Sequence, residues 1–190
     1  YEIHERLVGS EMCIRDRELG RGGQGIVYQV DYNGKDEALK WYLKDEGDLF
    51  YHNLQHNVNS TPPSSNFLWP LRITDRQKGG FGYVMHLRPK GYYELGDFFT
   101  AKVQFKNYDS VLHAAINICN GFLRLHLSGY SYQDLNEGNF FINPENGNLL
   151  ICDNDNVAAN RTESGIKGKS RYMAAEVVNG GVPNIQSDVF

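Results

Sequence analysis

The hydrophobic pattern of the chain begins in a two-residue period. Residues 26–30 are β-branched and aromatic around one polar glutamine, and Asp31-Tyr32-Asn33-Gly34-Lys35 carries tight-turn chemistry. Residues 37–43 are strand-like again. With the stretch from Glu18 into the glycines, the pattern predicts a three-stranded antiparallel meander. The period then lengthens: Leu49, Phe50, Leu54 and Val58 fall at helical spacing within residues 46–58, and Ser60-Thr61-Pro62-Pro63-Ser64-Ser65 ends that helix. Residues 67–74 and 81–87 predict two further strands around a Gly79-Gly80 turn, so the first part of the chain is mostly sheet with one helix.

Arg88-Pro89-Lys90-Gly91 marks a change of composition and a boundary. Beyond it, Val111, Leu112, Ala115, Ile116, Ile118, Cys119, Phe122, Leu123 and Leu125 predict one long helix over residues 109–127, with Asp109 or Ser110 as its N-cap. A short strand pair follows, residues 139–142 and 149–152, joined by a Pro144-Glu145-Asn146-Gly147 turn, and then a polar loop from 153 to about 170. Sheet first and helix afterwards make the expected class α+β. No internal repeat or low-complexity tract is visible.

Composition narrows the function classes. The 190 residues carry a net charge of -4 with 41% hydrophobic and 13% aromatic content, enough large side chains for a folded core. Mild acidity and the lack of a basic run argue against nucleic-acid binding. Apolar runs such as Leu149-Leu150-Ile151-Cys152 are strand-length, so no membrane segment is expected. Cys13, Cys119 and Cys152 cannot all pair and lack metal spacing, which fits idle thiols in a reducing, cytoplasmic setting.

Residues 1–17 stand apart. Their Leu7–Arg17 stretch, LVGSEMCIRDR, resembles a peptide produced when sequencing adapter is translated, so these residues are expected to be non-native and are excluded from fold reasoning.

Three constellations carry chemistry. Gly20-Arg21-Gly22-Gly23-Gln24-Gly25-Ile26-Val27 is a G-x-G-x-x-G-x-V segment, whose backbone can fold closely over phosphates. Alone it also fits a dinucleotide site or a plain hairpin, but a strand follows it, not the helix that a dinucleotide site requires. Lys40 ends Glu37-Ala38-Leu39-Lys40 in the third strand, where a lysine beneath a glycine flap can neutralise phosphates. Asp134 and Asn139 lie in Tyr132-Gln133-Asp134-Leu135-Asn136-Glu137-Gly138-Asn139, and Asp153 opens Asp153-Asn154-Asp155-Asn156 after the strand pair. Two oxygen ligands from adjacent loops suit Mg²⁺, and a third acid can orient a hydroxyl nucleophile.

In this order and spacing, the glycine segment, Lys40, Asp134, Asn139, Asp153 and Met173-Ala174-Ala175-Glu176 resemble the eukaryotic-like protein kinase family, and Ser187-Asp188-Val189-Phe190 looks like the start of its central helix. Phe67-Leu68-Trp69-Pro70 and the Asp153–Asn156 string are similar to a bacterial branch. The resemblance implies a bilobal kinase-like fold with a β-rich N-lobe over residues 18–88 and a mainly helical C-lobe over 89–190. It implies ATP and Mg²⁺ as cofactors and a Ser or Thr hydroxyl of a protein as acceptor. Gly20, Gly22, Gly23 and Gly25 would cover the phosphates, and Lys40 would bind them. Val27, Ala38, Met85 and Leu87 would enclose adenine, Asp134 would position the hydroxyl, and Asn139 and Asp153 would hold magnesium. Against the family's length, the C-lobe would be incomplete, Glu176 would lack its C-terminal partner, and the chain alone would be inactive or prone to aggregate.

The departures define two alternatives, a nucleotide-binding pseudokinase scaffold and a small-molecule kinase of the same fold. The first helix lacks the family's mid-helix Glu: Tyr51-His52-Asn53-Leu54-Gln55-His56 offers no acid and only Asp45, Glu46 and Asp48 lie at its start, so either Glu46 reaches Lys40 from the first turn or, as preferred here, a neutral residue replaces the pair. His52 and His56 read as surface polarity. Gln133 stands where the family has an Arg that answers loop phosphorylation, Asn136 where it has a Lys, and Lys169 where Ser/Thr-directed members have a Thr. Asn154-Asp155 reads as a turn-forming pair, and Ser164 and Ser170 are candidate phosphosites on composition.

Overall fold

A computed structural model describes residues 12–76, 80–165 and 168–189, with side chains from Arg17 onward. Its architecture is α+β, a sheet-rich first part followed by the helices. The first five strands are β1 (Met12–Arg21), β2 (Gly25–Tyr32), β3 (Lys35–Tyr42), β4 (Pro70–Ile73) and β5 (Gly82–His86), and they form one antiparallel sheet in the order β1-β2-β3-β5-β4. The predicted meander is its first half. Asn33 and Gly34 both adopt positive φ at the β2–β3 turn, and Asp31 accepts from the Gly34 N–H at 2.9 Å. β1 begins at Met12, inside the segment that the sequence sets aside, while residues 1–11, and Gly79 of the predicted turn, lie outside the described residues.

Helix α1 (Asp48–Val58) turns Phe50 and Leu54 onto the sheet, where Tyr42, Phe81 and Tyr83 complete a fully buried cluster. Phe50 meets the Tyr42 ring edge-on at 5.2 Å. Leu54 has no exposed surface, so Leu54→Ala should lower unfolding free energy by about 3 kcal/mol in urea titration, the usual cost of a cavity at such a site. The strand predicted from Phe67 starts only at Pro70. Proline cannot donate to a ladder and tolerates the first position of an edge strand, which β4 is. Residues 66–68 instead cross to the second part: the Ile151 N–H donates to the Asn66 carbonyl at 2.7 Å, and the Leu68 N–H to the Ile151 carbonyl at 2.9 Å.

The second part is organised by a three-stranded sheet of β6 (Tyr93–Glu94), β8 (Phe140–Ile142) and β9 (Leu149–Ile151), laid beside a strand pair of β7 (Tyr130–Ser131) and β10 (Ala158–Ala159). Two short helices, α2 (Leu95–Phe99) and α4 (Ala175–Val178), flank the long α3 (Tyr108–Leu127). The N-cap of α3 is neither Asp109 nor Ser110 but Asn107, whose side chain accepts from the Ser110 N–H at 2.9 Å. Ala114, Ile118, Phe122 and Leu125 face the core made by Phe140, Ile142, Leu149 and Ile151, while Val111, Leu112, Ile116 and Leu123 stay exposed. α3 also fixes the turn of the β8–β9 hairpin, since Ser110 and Asn117 donate to the carbonyls of Glu145 and Gly147. No helix among the described residues is long and apolar enough to cross a membrane.

Candidate functional site

Between the five-stranded sheet and the second part lies a cleft of about 730 Å³, a size usual for small-molecule sites. All the residues the sequence singled out line it: Gly20, Gly22, Gly23, Gly25, Val27, Ala38, Lys40, Met85 and Leu87 from the sheet side, and Asp134, Asn139 and Asp153 from the other. The glycines divide into two kinds. A Cβ on Gly25 would lie 2.4 Å from the Trp41 carbonyl oxygen, so β2 and β3 can approach only with glycine there. A Cβ on Gly20, Gly22 or Gly23 would meet nothing within 4 Å, so open space lies beside them at the cleft.

Lys40 is buried, 5% exposed, and its Nζ reaches two carboxylates: Asp155 Oδ2 at 2.9 Å and Asp153 Oδ1 at 3.1 Å. Burial opposes the charge on this ammonium, but the two acids together outweigh it and hold its pKa above the ordinary value. The Tyr42 hydroxyl donates to the same Asp155 oxygen. Burial first, and Asp155 second, push the Tyr42 phenol well up, so it stays a donor.

The expectation of a neutral substitute for the helix acid is thereby corrected: neither Glu46 nor a neutral side chain meets Lys40, because Asp155 supplies the carboxylate from 115 residues away in sequence. Asn154-Asp155 does lie in a turn, and Asp155 in addition brings charge to the site. Asp153 takes left-handed backbone angles (φ 49°, ψ 48°), which Asp tolerates better than most residues, and a 3-10 turn over Asn154–Asn156 buries all three following side chains.

Each member of this string has its own target. Asp153 is one-third exposed and faces the cleft. The Asn154 side chain donates to the Ile151 carbonyl at 2.9 Å, Asp155 holds Lys40, and Asn156 Nδ2 lies 3.4 Å from Asp134 Oδ2. Helix α1 is joined to the string by amides in place of an ion pair: Asn53 and Asn57 both donate to the Val157 carbonyl, at 2.8 and 2.7 Å. Asn57 is in turn held through its own carbonyl by the Trp69 indole N–H at 2.8 Å. His52 and His56 are exposed, as the sequence suggests.

Asp134 is 8% exposed, and burial, reinforced by the nearby Asp153 and Asp155, pushes its carboxyl above the ordinary range, while an Asn139 hydrogen bond and Lys40 pull the other way. Asn139 Nδ2 donates to the Asp134 carbonyl at 2.8 Å, which commits its nitrogen and leaves its oxygen as the atom it can offer. The Cys152 N–H donates to the Asn139 carbonyl at 2.8 Å and so sets residue 139 against the start of the Asp153 string. Among the described residues no group of three or more His, Cys, Asp or Glu side chains is placed to hold a metal by itself. The donors here, one carboxylate oxygen and one amide oxygen at the cleft wall, are hard oxygens, which fit a Mg²⁺ completed by phosphate and water.

The backbone before Asp134 is pinned from below. Asp188 accepts from the N–H groups of Tyr132 and Gln133 at 2.7 and 3.2 Å, with His126 Nε2 at 3.0 Å. Gln133 is held at positive φ (67°), and its amide donates to the Thr162 carbonyl at 2.7 Å while accepting from the Ser164 N–H at 3.1 Å. Ser164 is fully buried, so in this conformation its hydroxyl is not open to modification.

No protein-family model matches the chain. It is similar to a probable serine/threonine-protein kinase of Dictyostelium discoideum, with 26% identity over 169 residues, 86% of this chain and 12% of the relative. It is also similar to protein kinase YegI of Escherichia coli K12, with 25% identity over 162 residues, 80% of this chain and 25% of the relative. The chain thus spans 12% to 25% of the length of these curated relatives. Both relatives are named protein kinases, and the likeness to them is distant.

Proposed function

We propose that the protein transfers the γ-phosphoryl group of ATP to a Ser or Thr hydroxyl of a protein substrate, with residues 18–88 acting as the N-lobe and 89–190 as the C-lobe of a kinase-like fold. The observation that carries this reading is the convergence, in one cleft, of a buried lysine held by two carboxylates, a third buried carboxylate and an asparagine with a free amide oxygen.

The glycine turn gives N–H donors to the phosphates, and Lys40 exchanges part of its hold on Asp153 for phosphate oxygens. Val27, Ala38, Met85 and Leu87 supply apolar walls for the base. Asn139 and Asp153 would hold Mg²⁺, which when bound neutralises phosphate charge. Asp134 accepts the hydroxyl proton as the acceptor oxygen bonds to the γ-phosphorus. The bond from that phosphorus to the bridging oxygen breaks, and its electron pair leaves on ADP.

Incubating the full-length protein with radiolabelled ATP, Mg²⁺ and a generic basic protein tests the reading. Label on protein Ser or Thr is expected. ATP bound but never transferred would favour the scaffold alternative, and label carried only by a sugar or other small acceptor would overturn a protein substrate.

A further inference from the structure

At the mouth of the cleft, two segments distant in sequence are tied side chain to side chain. Lys169 Nζ donates to Asn136 Oδ1 at 3.1 Å, and Tyr172, three residues on, and Lys169 itself both help to lower the pKa of the neighbouring Glu137 carboxylate. Residue 168 is pressed against the base of the site: a Cβ there would lie 2.6 Å from the Gln133 carbonyl oxygen and 3.3 Å from Asp134 Oδ1. Only glycine permits that approach, and it delivers the next residue, Lys169, to the cleft wall beside Asp134.

Two cations lining the cleft, Lys169 and Arg17, have no ion pair among the described residues, and of the two Lys169 stands on the wall beside Asp134 whereas Arg17 lies on β1 next to the glycine turn. Lys40 is committed to two carboxylates, Arg21 to Glu18 at 2.7 Å, and Arg88 to the Phe141 ring and the Tyr92 carbonyl. Lys169 is exposed to the cleft, its hydrogen-bond partner is a neutral amide oxygen, and among the described residues it makes no ion pair. Asn136 orients the ammonium without cancelling its charge. A phosphoryl group passing between donor and acceptor beside Asp134 carries its negative charge on three non-bridging oxygens, which a fixed cation stabilises most at the transition state.

We propose that Lys169 is the cation that binds the phosphoryl group during transfer, held in position by Asn136. This rests on the phosphotransfer reading above. Lys169 keeps all its protons throughout: the acceptor proton goes to Asp134, the electron pair of the broken bond leaves with ADP, and the lysine only donates hydrogen bonds to the non-bridging oxygens. Asn136 and Lys169 are within hydrogen-bond reach, so a lysine built at 136 would place its charge in the same region.

The test compares wild type, Lys169→Met, Lys169→Arg and the double variant Asn136→Lys/Lys169→Met in steady-state transfer, nucleotide binding and thermal unfolding. Lys169→Met should lower kcat about 100-fold while nucleotide affinity and the unfolding midpoint stay within error, because the side chain lies outside the core. Lys169→Arg should retain most of the rate, and the double variant should recover at least about tenfold over Lys169→Met. A Lys169→Met protein that keeps its kcat, or a double variant with no recovery, would overturn the assignment while leaving the phosphotransfer reading intact. A full-length wild-type protein that transfers nothing would overturn that reading and this one with it, and would be seen before any variant was made.

Discussion

Asp155→Ala is expected to destabilise the protein by about 3 kcal/mol and to weaken nucleotide binding. Removing one partner from a buried ion pair strands the other charge, at a typical cost of about 3–5 kcal/mol, and the lower figure applies because Asp153 still reaches Lys40. The Tyr42 hydroxyl loses its acceptor in the same step. The pH dependence has a definite sign. In wild type the Lys40 pKa is raised above its unfolded value, so the pair's stabilisation is fully present below about pH 10 and is lost only as pH rises beyond the folded pKa. In the variant, burial acts against a single remaining carboxylate, and the folded pKa falls. The stabilisation that remains is then smaller and is lost from a lower pH than in wild type. The stability gap between variant and wild type should therefore hold through neutral pH and narrow as pH rises past the variant's lowered folded pKa in urea titrations, and a gap that never narrows on the alkaline side would count against Lys40 as the stranded charge.

Asp134→Asn should have the opposite balance of effects. As the proposed proton acceptor, Asp134 should cost about 1,000-fold in kcat when it becomes an amide. The fold should not suffer. Burial, with Asp153 and Asp155 adding to it, raises the Asp134 pKa above its unfolded value, so ionised Asp134 opposes folding at neutral pH and wild type gains stability as pH falls through the folded pKa. An asparagine has no charge to desolvate, and its oxygen can still accept from Asn139 and Asn156. The expected result is an unfolding midpoint equal to or above wild type, with the acid-side gain abolished. A variant that loses both activity and stability would make Asp134 a structural residue.

These effects show what a linear reading reaches. The β2–β3 hairpin, α1, α3 and the turn at 144–147 are local: their periods, Asn-Gly signal and breakers lie within a few residues of the structure they specify. The α3 cap was missed by two residues because Asn107, Asp109 and Ser110 are all capable caps, and the side-chain acceptor used is decided by three-dimensional fit. The site residues were legible as types at spacings. Their connections were not: Lys40 finds Asp155 across 115 positions, Asn57 finds Val157 across 100, and Lys169 finds Asn136 across 33. Of these, Asn136 and Lys169 stand out in the sequence only as departures from the family pattern, and Asp155 as a charge. A second acid two residues after a candidate metal ligand, in a chain whose helix offers none, is a charge in search of a counter-charge.

The place of that counter-charge has a mechanical consequence. Lys40 belongs to the sheet, and both of its carboxylates belong to the chain after β9, so the pair bridges the two walls of the cleft. A lysine answered by an acid on α1 would leave its electrostatic bond within one wall, and the walls could part freely. Here the bond is a clasp: widening the cleft must stretch it, and its burial shields it from the salt that loosens surface pairs. Under the proposed function, an incoming polyphosphate would compete for the clasp's own lysine, so the ligand that fills the cleft would also be the agent that slackens its closure.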